Sequence, residues 1–396
     1  MRVLHIVPSY YPAFKYGGPI ESVYLLNKAL LKKGIIVDVL TTNAGIEERS
    51  DIPPNKWLNI DGVKVKYFPY YFYEYYSFSP ELFISAMEQV SNYDLVHITS
   101  LWCFPVLAGS IASVFSKKPF IISPRGMLYE EAINVKSKHI KKLYFHLIAK
   151  HYLKRAAAIH YTTGDERDRA GNFVKSNNQS FVIPNGLDLN KFVNLPEKGS
   201  FKNKYPILKD KKYILFLSRL DKQKGISLLI EAFRELAQKY SNLFLVIAGP
   251  DNVGYKRDIE SQLKNYGLLD KTLFTGMLIG DDKLSAYVDA ELFVLSSYFE
   301  NFGMTVIEAM ACKTPVVISN RVGIYKEVKE HNAGIVVNLS TDDLHQAIKT
   351  ILDNPQLGEE ITGNGRILVQ EKFEISKVAD MMIDSYSKIL KIEPKF

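Results

Sequence analysis

The sequence predicts an α/β chain built from two doubly wound, parallel-sheet domains. Three observations carry that prediction. A strand, a glycine loop, a helix and a second strand open the chain over residues 2–40. The same alternation restarts at Tyr213, and a polar, Lys- and Pro-containing stretch, 189–212, lies between the two runs. Strands alternating with helices imply a parallel sheet, and a break in that alternation marks a domain boundary. Domains are therefore placed at 1–190 and 191–374, facing a cleft, with the helical segment 375–396 a candidate to cross back over the first.

Composition narrows the function classes. At 396 residues, 47% hydrophobic and 23% charged, the chain is an ordinary globular one with length for large cores. The net charge of +7 is too mild and too scattered to argue for nucleic acid, and leaves an anionic ligand or membrane surface open. Two cysteines, Cys103 and Cys312, each in an apolar context, suggest a reducing compartment without a disulfide framework. The run Val3-Leu4-His5-Ile6-Val7 is short for a signal peptide and reads as a core strand. No apolar run approaches the ~18 residues of a membrane span. A cytoplasmic location is expected.

Along the first half, the helical pattern Ser22–Lys33 follows Gly17-Gly18-Pro19 and closes at Gly34. The G-x-G-x-x-G dinucleotide fingerprint is missing, so nicotinamide and flavin enzymes lose ground. Gly17-Gly18 permits close backbone approach to a ligand, or makes an ordinary turn. The aromatic run Pro69–Pro80 reads either as an acceptor or membrane surface or as rings folded onto the domain. His97 reads as a satisfied core histidine. Phe120-Ile121-Ile122-Ser123 is a strand whose end carries Arg125, and strand ends on one sheet edge are where ligands bind. From Lys136 to Arg155, Ile140, Leu143, Tyr144, Leu147, Ile148 and Tyr152 recur at helical spacing among lysines. Such a helix is a solvated surface element or lies on an anionic membrane. Thr163 or Asp165 is expected to cap the next helix.

In the second half, strands are expected at 213–218, 243–248, 272–274, 292–295 and, last, 315–319. Ser218-Arg219-Leu220-Asp221-Lys222-Gln223-Lys224-Gly225 puts two cations at a strand end. Taken alone they are solvated surface; facing a helix N-terminus they make a diphosphate clamp. That N-terminus is at Gly303, within Glu300-Asn301-Phe302-Gly303-Met304-Thr305-Val306-Ile307-Glu308. Glu308 stands among core-like residues, where a carboxylate is costly unless donors surround it. Ligand hydroxyls would serve as those donors; attraction to the helix dipole is the plainer account.

Together these stretches resemble the retaining glycosyltransferases of family 4, which have the GT-B fold of two Rossmann-like domains. The resemblance covers nearly the whole chain. It rests on Glu300 to Glu308 (E-x7-E), Ser218-Arg219 with Lys224-Gly225, Ile183-Pro184-Asn185-Gly186-Leu187-Asp188, Gly17-Gly18 and Pro315-Val316-Val317. It implies transfer of a sugar from a UDP- or GDP-linked donor to a glycan or lipid-linked acceptor, commonly in envelope polysaccharide assembly. Glu308 would hold ribose hydroxyls and Glu300 hydroxyls of the donor sugar. Arg219 and Lys224 would neutralise the leaving diphosphate with Gly17, Gly18, Phe302, Gly303, Met304 and Thr305 around it. Met277 and Leu278 would flank the base, and Asn185 and Gly186 would be structural. Arg125 stands where many members carry a His; being always charged it is no base at neutral pH, and phosphate or sugar contact is expected instead. No cofactor is implied. Asp281-Asp282 reads as a helix cap and Asp289-Ala290-Glu291 as the approach to a strand, so a metal is not expected. A non-hydrolysing nucleotide-sugar epimerase and a two-lobed sugar-binding protein are the alternatives.

Overall fold

The computed structural model describes residues 1–46, 52–135, 138–171, 173 and 179–391. Its first unit comprises Met1–Gly186 with the segment from Ile375 onward, and its second Leu187–Glu374. The division falls ahead of the expected 190/191 boundary. Leu187 donates its N–H to the Phe373 carbonyl at 2.7 Å and, with Phe192, is buried in the second core.

In the first unit, β1 (Arg2–Ile6), β2 (Ile36–Thr42), β3 (Trp57–Ile60), β4 (Val63–Phe68), β5 (Leu95–Thr99), β6 (Phe120–Ser123), β7 (Ala158–Tyr161) and β8 (Gln179–Val182) form one sheet. Its order is β3-β4-β2-β1-β5-β6-β7-β8, parallel throughout except that β3 pairs antiparallel with β4. The order reverses between β1 and β5, so the loops after them flank a switch point. The central strands are buried on both faces, as sheets covered by helices require. The helix Ile375–Leu390 belongs to this unit: Val378, Ala379, Met382 and Tyr386 are buried in a core with Val3, Val37 and Ile121.

In the second unit, β9 (Lys212–Leu217), β10 (Leu243–Ala248), β11 (Thr272–Gly276), β12 (Leu292–Leu295), β13 (Val316–Ser319) and β14 (Ile335–Val337) make a parallel sheet in the order β11-β10-β9-β12-β13-β14. Its switch point lies between β9 and β12.

Several sequence expectations are corrected. The stretch 189–212 is not a linker: Phe192, Phe201 and Leu208 are buried in the second core, and a short helix spans Ser200–Lys204. Sparse apolar anchors hid it from a periodicity reading. Strands β3 and β14 were not expected; one is an exposed edge hairpin and the other only three residues long. The helix expected over 136–155 is broken into Lys138–Tyr144, a π-turn at Phe145–Ala149, and Lys150–Arg155. The extra residue of the π-turn rotates the stripe: Tyr144 and Ile148 pack inward, whereas Ile140, Leu143 and Leu147 are 70%, 60% and 63% exposed. Lys136 and Ile392 lie outside the described residues.

Candidate active site

The carboxyl ends of β9 and β12 bring most of the second unit's candidates together. After β9, Asp221 caps a single turn by accepting the Gln223 N–H at 2.9 Å, which sets Lys224 just ahead of Gly225. Gly225 has φ 68°, and a Cβ there would lie 1.9 Å from the Ser296 carbonyl oxygen, so only glycine lets the two loops touch. The contact is tied twice more: Ser296 Oγ donates to the Gly225 carbonyl at 2.8 Å and the Tyr298 N–H to the Gln223 carbonyl at 2.8 Å. Glu300 is pinned by its own backbone, donating to the Arg321 carbonyl and accepting from the Gly323 N–H.

This scaffold sets Lys224 Nζ 2.5 Å from Glu300 Oε2. Burial pushes the Glu300 carboxyl up, but Lys224, the Phe302 N–H and the charge of Arg219 outweigh it and hold it below the usual carboxylate range. Arg219 itself is exposed and makes no ion pair among the described residues. Gly303, in the left-handed region at φ 96°, turns the chain into the helix Met304–Ala311. The first N–H groups of that helix have no acceptor within it, and its dipole favours an anion there.

Glu308 lies further along the same helix, its side chain 5% exposed. Its carboxylate already has donors that the sequence did not reveal: Lys283 Nζ at 2.7 Å and the Tyr287 hydroxyl at 3.1 Å. Both come from the helix Gly280–Val288, which follows β11 and the loop carrying exposed Met277 and buried Leu278. No spacing rule joins positions so far apart, so only the fold could find them.

The acidic pairs considered for a metal have other partners. Asp289 accepts from the Phe201 and Lys202 N–H groups at 2.8 and 3.1 Å, capping the short helix there, and Asp282 pairs with Lys204 at 2.6 Å. Asp281 and Asp282 lie inside the first helical turn rather than at its cap.

Gly17, Gly18 and Arg125 belong to the first unit. Gly17 (φ 71°) precedes the helix Gly18–Lys32. Arg125 follows β6 with φ 53°, and its Nη1 donates to Asn185 Oδ1. Burial lowers the guanidinium to about 10, opposed by Glu166 and Tyr386, so it stays charged at neutral pH. The Glu166 carboxylate is taken up by the Thr162 N–H at 2.7 Å and the Thr162 hydroxyl at 2.8 Å, while Thr163 caps the helix that Glu166 stands on.

Comparison with known proteins bears on the family and the fold. The model of Glycosyl transferases group 1 matches residues 197–367, and that of Glycosyltransferase Family 4 matches 16–191. An uncharacterized glycosyltransferase of Methanocaldococcus jannaschii is 34% identical over 210 residues, 52% of this chain and 53% of that protein. The chain spans about half the length of the first curated relatives it matches. The alpha-monoglucosyldiacylglycerol synthase of Streptococcus pneumoniae is 24% identical over 95% of this chain and 82% of its own. The crystal structure of Anabaena HepE in complex with UDP and glucose superposes with a TM-score of 0.78 at 20% identity, covering 98% of this chain and 100% of that one, a likeness of fold. With the two models matched in succession on two Rossmann-like sheets, the chain belongs to the family 4 glycosyltransferases of GT-B fold.

Proposed function

We propose that this glycosyltransferase moves a sugar from a UDP- or GDP-linked donor to a glycan or lipid-linked acceptor, with the anomeric configuration retained and no metal required. The observation that carries the proposal is the Lys224–Glu300 pair at the β9/β12 switch point, beside the helix start at Gly303. Cleaving the glycosidic bond builds charge on the departing diphosphate. Fixed cations and helix N–H groups stabilise that charge without reorganising, which can replace a metal ion. Lys224 then has two anions to serve in turn: Glu300 before the donor arrives, the diphosphate afterwards. Arg219 and the N–H groups of Met304 and Thr305 join it. The Glu300 carboxylate, released, accepts hydroxyls of the donor sugar, while Glu308 takes the ribose hydroxyls on the lone pairs that Lys283 and Tyr287 leave.

Phe302 and Gly303 line the donor, Met277 and Leu278 flank its base, and Gly17 and Gly18 approach its phosphates. Arg125 contacts phosphate or sugar. No side chain in this set is placed as a covalent nucleophile, which favours front-face transfer. A UDP donor is supported by the complex of Anabaena HepE with UDP and glucose. A lipid-linked acceptor is supported by the name of the pneumococcal relative and by the exposed side chains of Ile140, Leu143 and Leu147 in a lysine-rich segment. Envelope glycan assembly on the cytoplasmic face of a membrane is the proposed setting. No helix among the described residues is long and apolar enough to cross one.

The test is a thermal-shift series with UDP, GDP, ADP and their glucose or mannose esters, followed by product analysis with the base that binds. A donor at a hundredfold excess over its Kd stabilises by about 2.7 kcal/mol. One base should stand out. No shift with any of them would sink the donor assignment.

A further inference from the structure

The first sheet buries three histidines, His5, His97 and His160, on β1, β5 and β7, each 0–1% exposed. Two of them lie on one continuous run of hydrogen bonds. The Tyr386 hydroxyl meets His97 Nδ1 at 2.7 Å, His97 Nε2 meets Ser123 Oγ at 2.7 Å, and Ser123 Oγ meets His160 Nδ1 at 2.6 Å. The run ends where His160 Nε2 meets the Ile183 carbonyl at 2.9 Å.

Its direction follows from the last bond. A carbonyl only accepts, so His160 carries its proton on Nε2, and a neutral ring must then accept at Nδ1. Ser123 therefore donates to His160 and accepts from His97 Nε2–H, which leaves His97 Nδ1 to accept from Tyr386. One proton arrangement satisfies every group. Burial, with the charge of Arg125 close by, keeps both rings neutral.

Both ends of the Arg125 anchorage lie two residues along the chain from this run. Ser123 is two residues upstream, across the fixed φ of Pro124. Ile183 is two residues ahead of Asn185, the acceptor of Arg125 Nη1. Arg125 Nε is buried with no hydrogen-bond partner among the described residues, a donor held in readiness.

We propose that Tyr386, on the helix Ile375–Leu390, is a positioning residue that fixes Arg125 by closing this directional run. The proposal rests on the reading above in giving Arg125 a substrate contact. Removing the hydroxyl leaves His97 Nδ1 a buried acceptor without a donor, which frees the imidazole to change tautomer and Ser123 to reverse. Close packing of the same helix is a separate matter, since Tyr386→Phe keeps the ring.

The test uses the full chain labelled with 15N at histidine and arginine. In the parent, His97 and His160 should both show the Nε2–H pattern, and the Arg125 Nε–H resonance should be protected from exchange. Tyr386→Phe should abolish the single His97 pattern and shift and expose the Arg125 Nε–H. Unchanged His97 and Arg125 signals would overturn the proposal whatever the enzyme's activity. In transfer assays with UDP-glucose or the donor identified by thermal shift, Tyr386→Phe should lower kcat about five- to tenfold, with donor KM unchanged. Adding it to Arg125→Lys should cost little more, because the two act as one unit. A lowered melting temperature with kcat unaltered would reduce Tyr386 to a packing residue. A parent chain inactive with every donor would defeat the proposed function, and the resonances would still decide the run.

Discussion

Lys224 and Glu300, 76 residues apart in the chain, meet at 2.5 Å where the loops after β9 and β12 touch. Each was expected to serve a different part of a donor, the cation its diphosphate and the carboxylate its sugar. Their pairing holds the Glu300 carboxylate below the usual range and fixes both side chains at the switch point. On the proposed reading, a donor would displace one from the other, so the site is preorganised in charge.

Replacing Lys224 by Ala should therefore abolish the main electrostatic term. A loss of at least 100-fold in kcat is expected, in line with removal of one preorganised donor to a developing oxyanion. The melting temperature should fall as well, because the two side chains are only 11% and 23% exposed and the change leaves the Glu300 carboxylate without its cation. Transfer near the parent rate would remove Lys224 from the machinery.

The Glu308 carboxylate is buried against Lys283 and Tyr287, and breaking a buried pair by deleting one partner costs about 3–5 kcal/mol. Glu308→Ala should lose both stability and activity, which makes it a poor probe. Tyr287→Phe is better: Lys283 still pairs with the carboxylate, which stays charged and in place. Donor KM should rise with kcat nearly intact, measured by initial rates over a range of donor concentrations. An unchanged KM would separate Tyr287 from the ribose site.

How much of this was legible beforehand can be stated residue by residue. The fold class was legible because buried parallel strands are short apolar runs between helices, and Leu292–Leu295 or Leu243–Ala248 can hardly be anything else. Lys224, Gly225, Glu300 and Gly303 were legible as a group because strand ends and helix starts are local features. Lys283, Tyr287, Asn185 and Tyr386 acquire their roles from pairings across 21 to 289 residues, and no local rule encodes those. The stretch 189–212 misled for a related reason: Phe192, Phe201 and Leu208 are too widely spaced to register as periodic.

The amphipathic segment 138–155 yields a prediction about surfaces. Ile140, Leu143 and Leu147 are exposed large apolar side chains, and Lys138, Lys142 and Lys150 of the same segment are exposed too. Lys141 is not part of that set, since its ammonium donates to the Ala132 carbonyl at 2.6 Å. Each lysine near an anionic leaflet contributes about 1 kcal/mol, roughly a fivefold change in partitioning. Lys142→Glu with Lys150→Glu, and separately Leu143→Glu, should reduce co-sedimentation with phosphatidylglycerol vesicles. Phosphatidylcholine vesicles should bind poorly throughout. Binding to phosphatidylglycerol that none of these changes alters would exclude the segment as a membrane contact.

The buried histidines make a prediction about acid. Burial is the first cause that lowers all three: His5 to about 4, His160 to about 3, and His97 well below its ordinary value. In the unfolded chain each binds a proton near 6.5. Between 6.5 and those folded values the unfolded chain holds more protons, so stability rises with pH there. The contribution is complete above pH 6.5 and is lost as pH falls toward 4, by about 1.4 kcal/mol per pH unit for each ring. Glu166 works the other way, because burial raises its carboxyl and its contribution fades as pH rises through its folded value. Three rings outweigh one carboxyl. Both tryptophans, Trp57 and Trp102, belong to the first unit, so their fluorescence reports its unfolding separately from the second. The urea midpoint read that way should fall steeply from pH 6.5 to 4.5. His160→Gln should be less stable at pH 7.5, because its run of hydrogen bonds is broken, yet should show a shallower acid slope. A midpoint flat across this window would mean that the histidines are charged in the fold, and the single proton arrangement through Ser123 would be untenable.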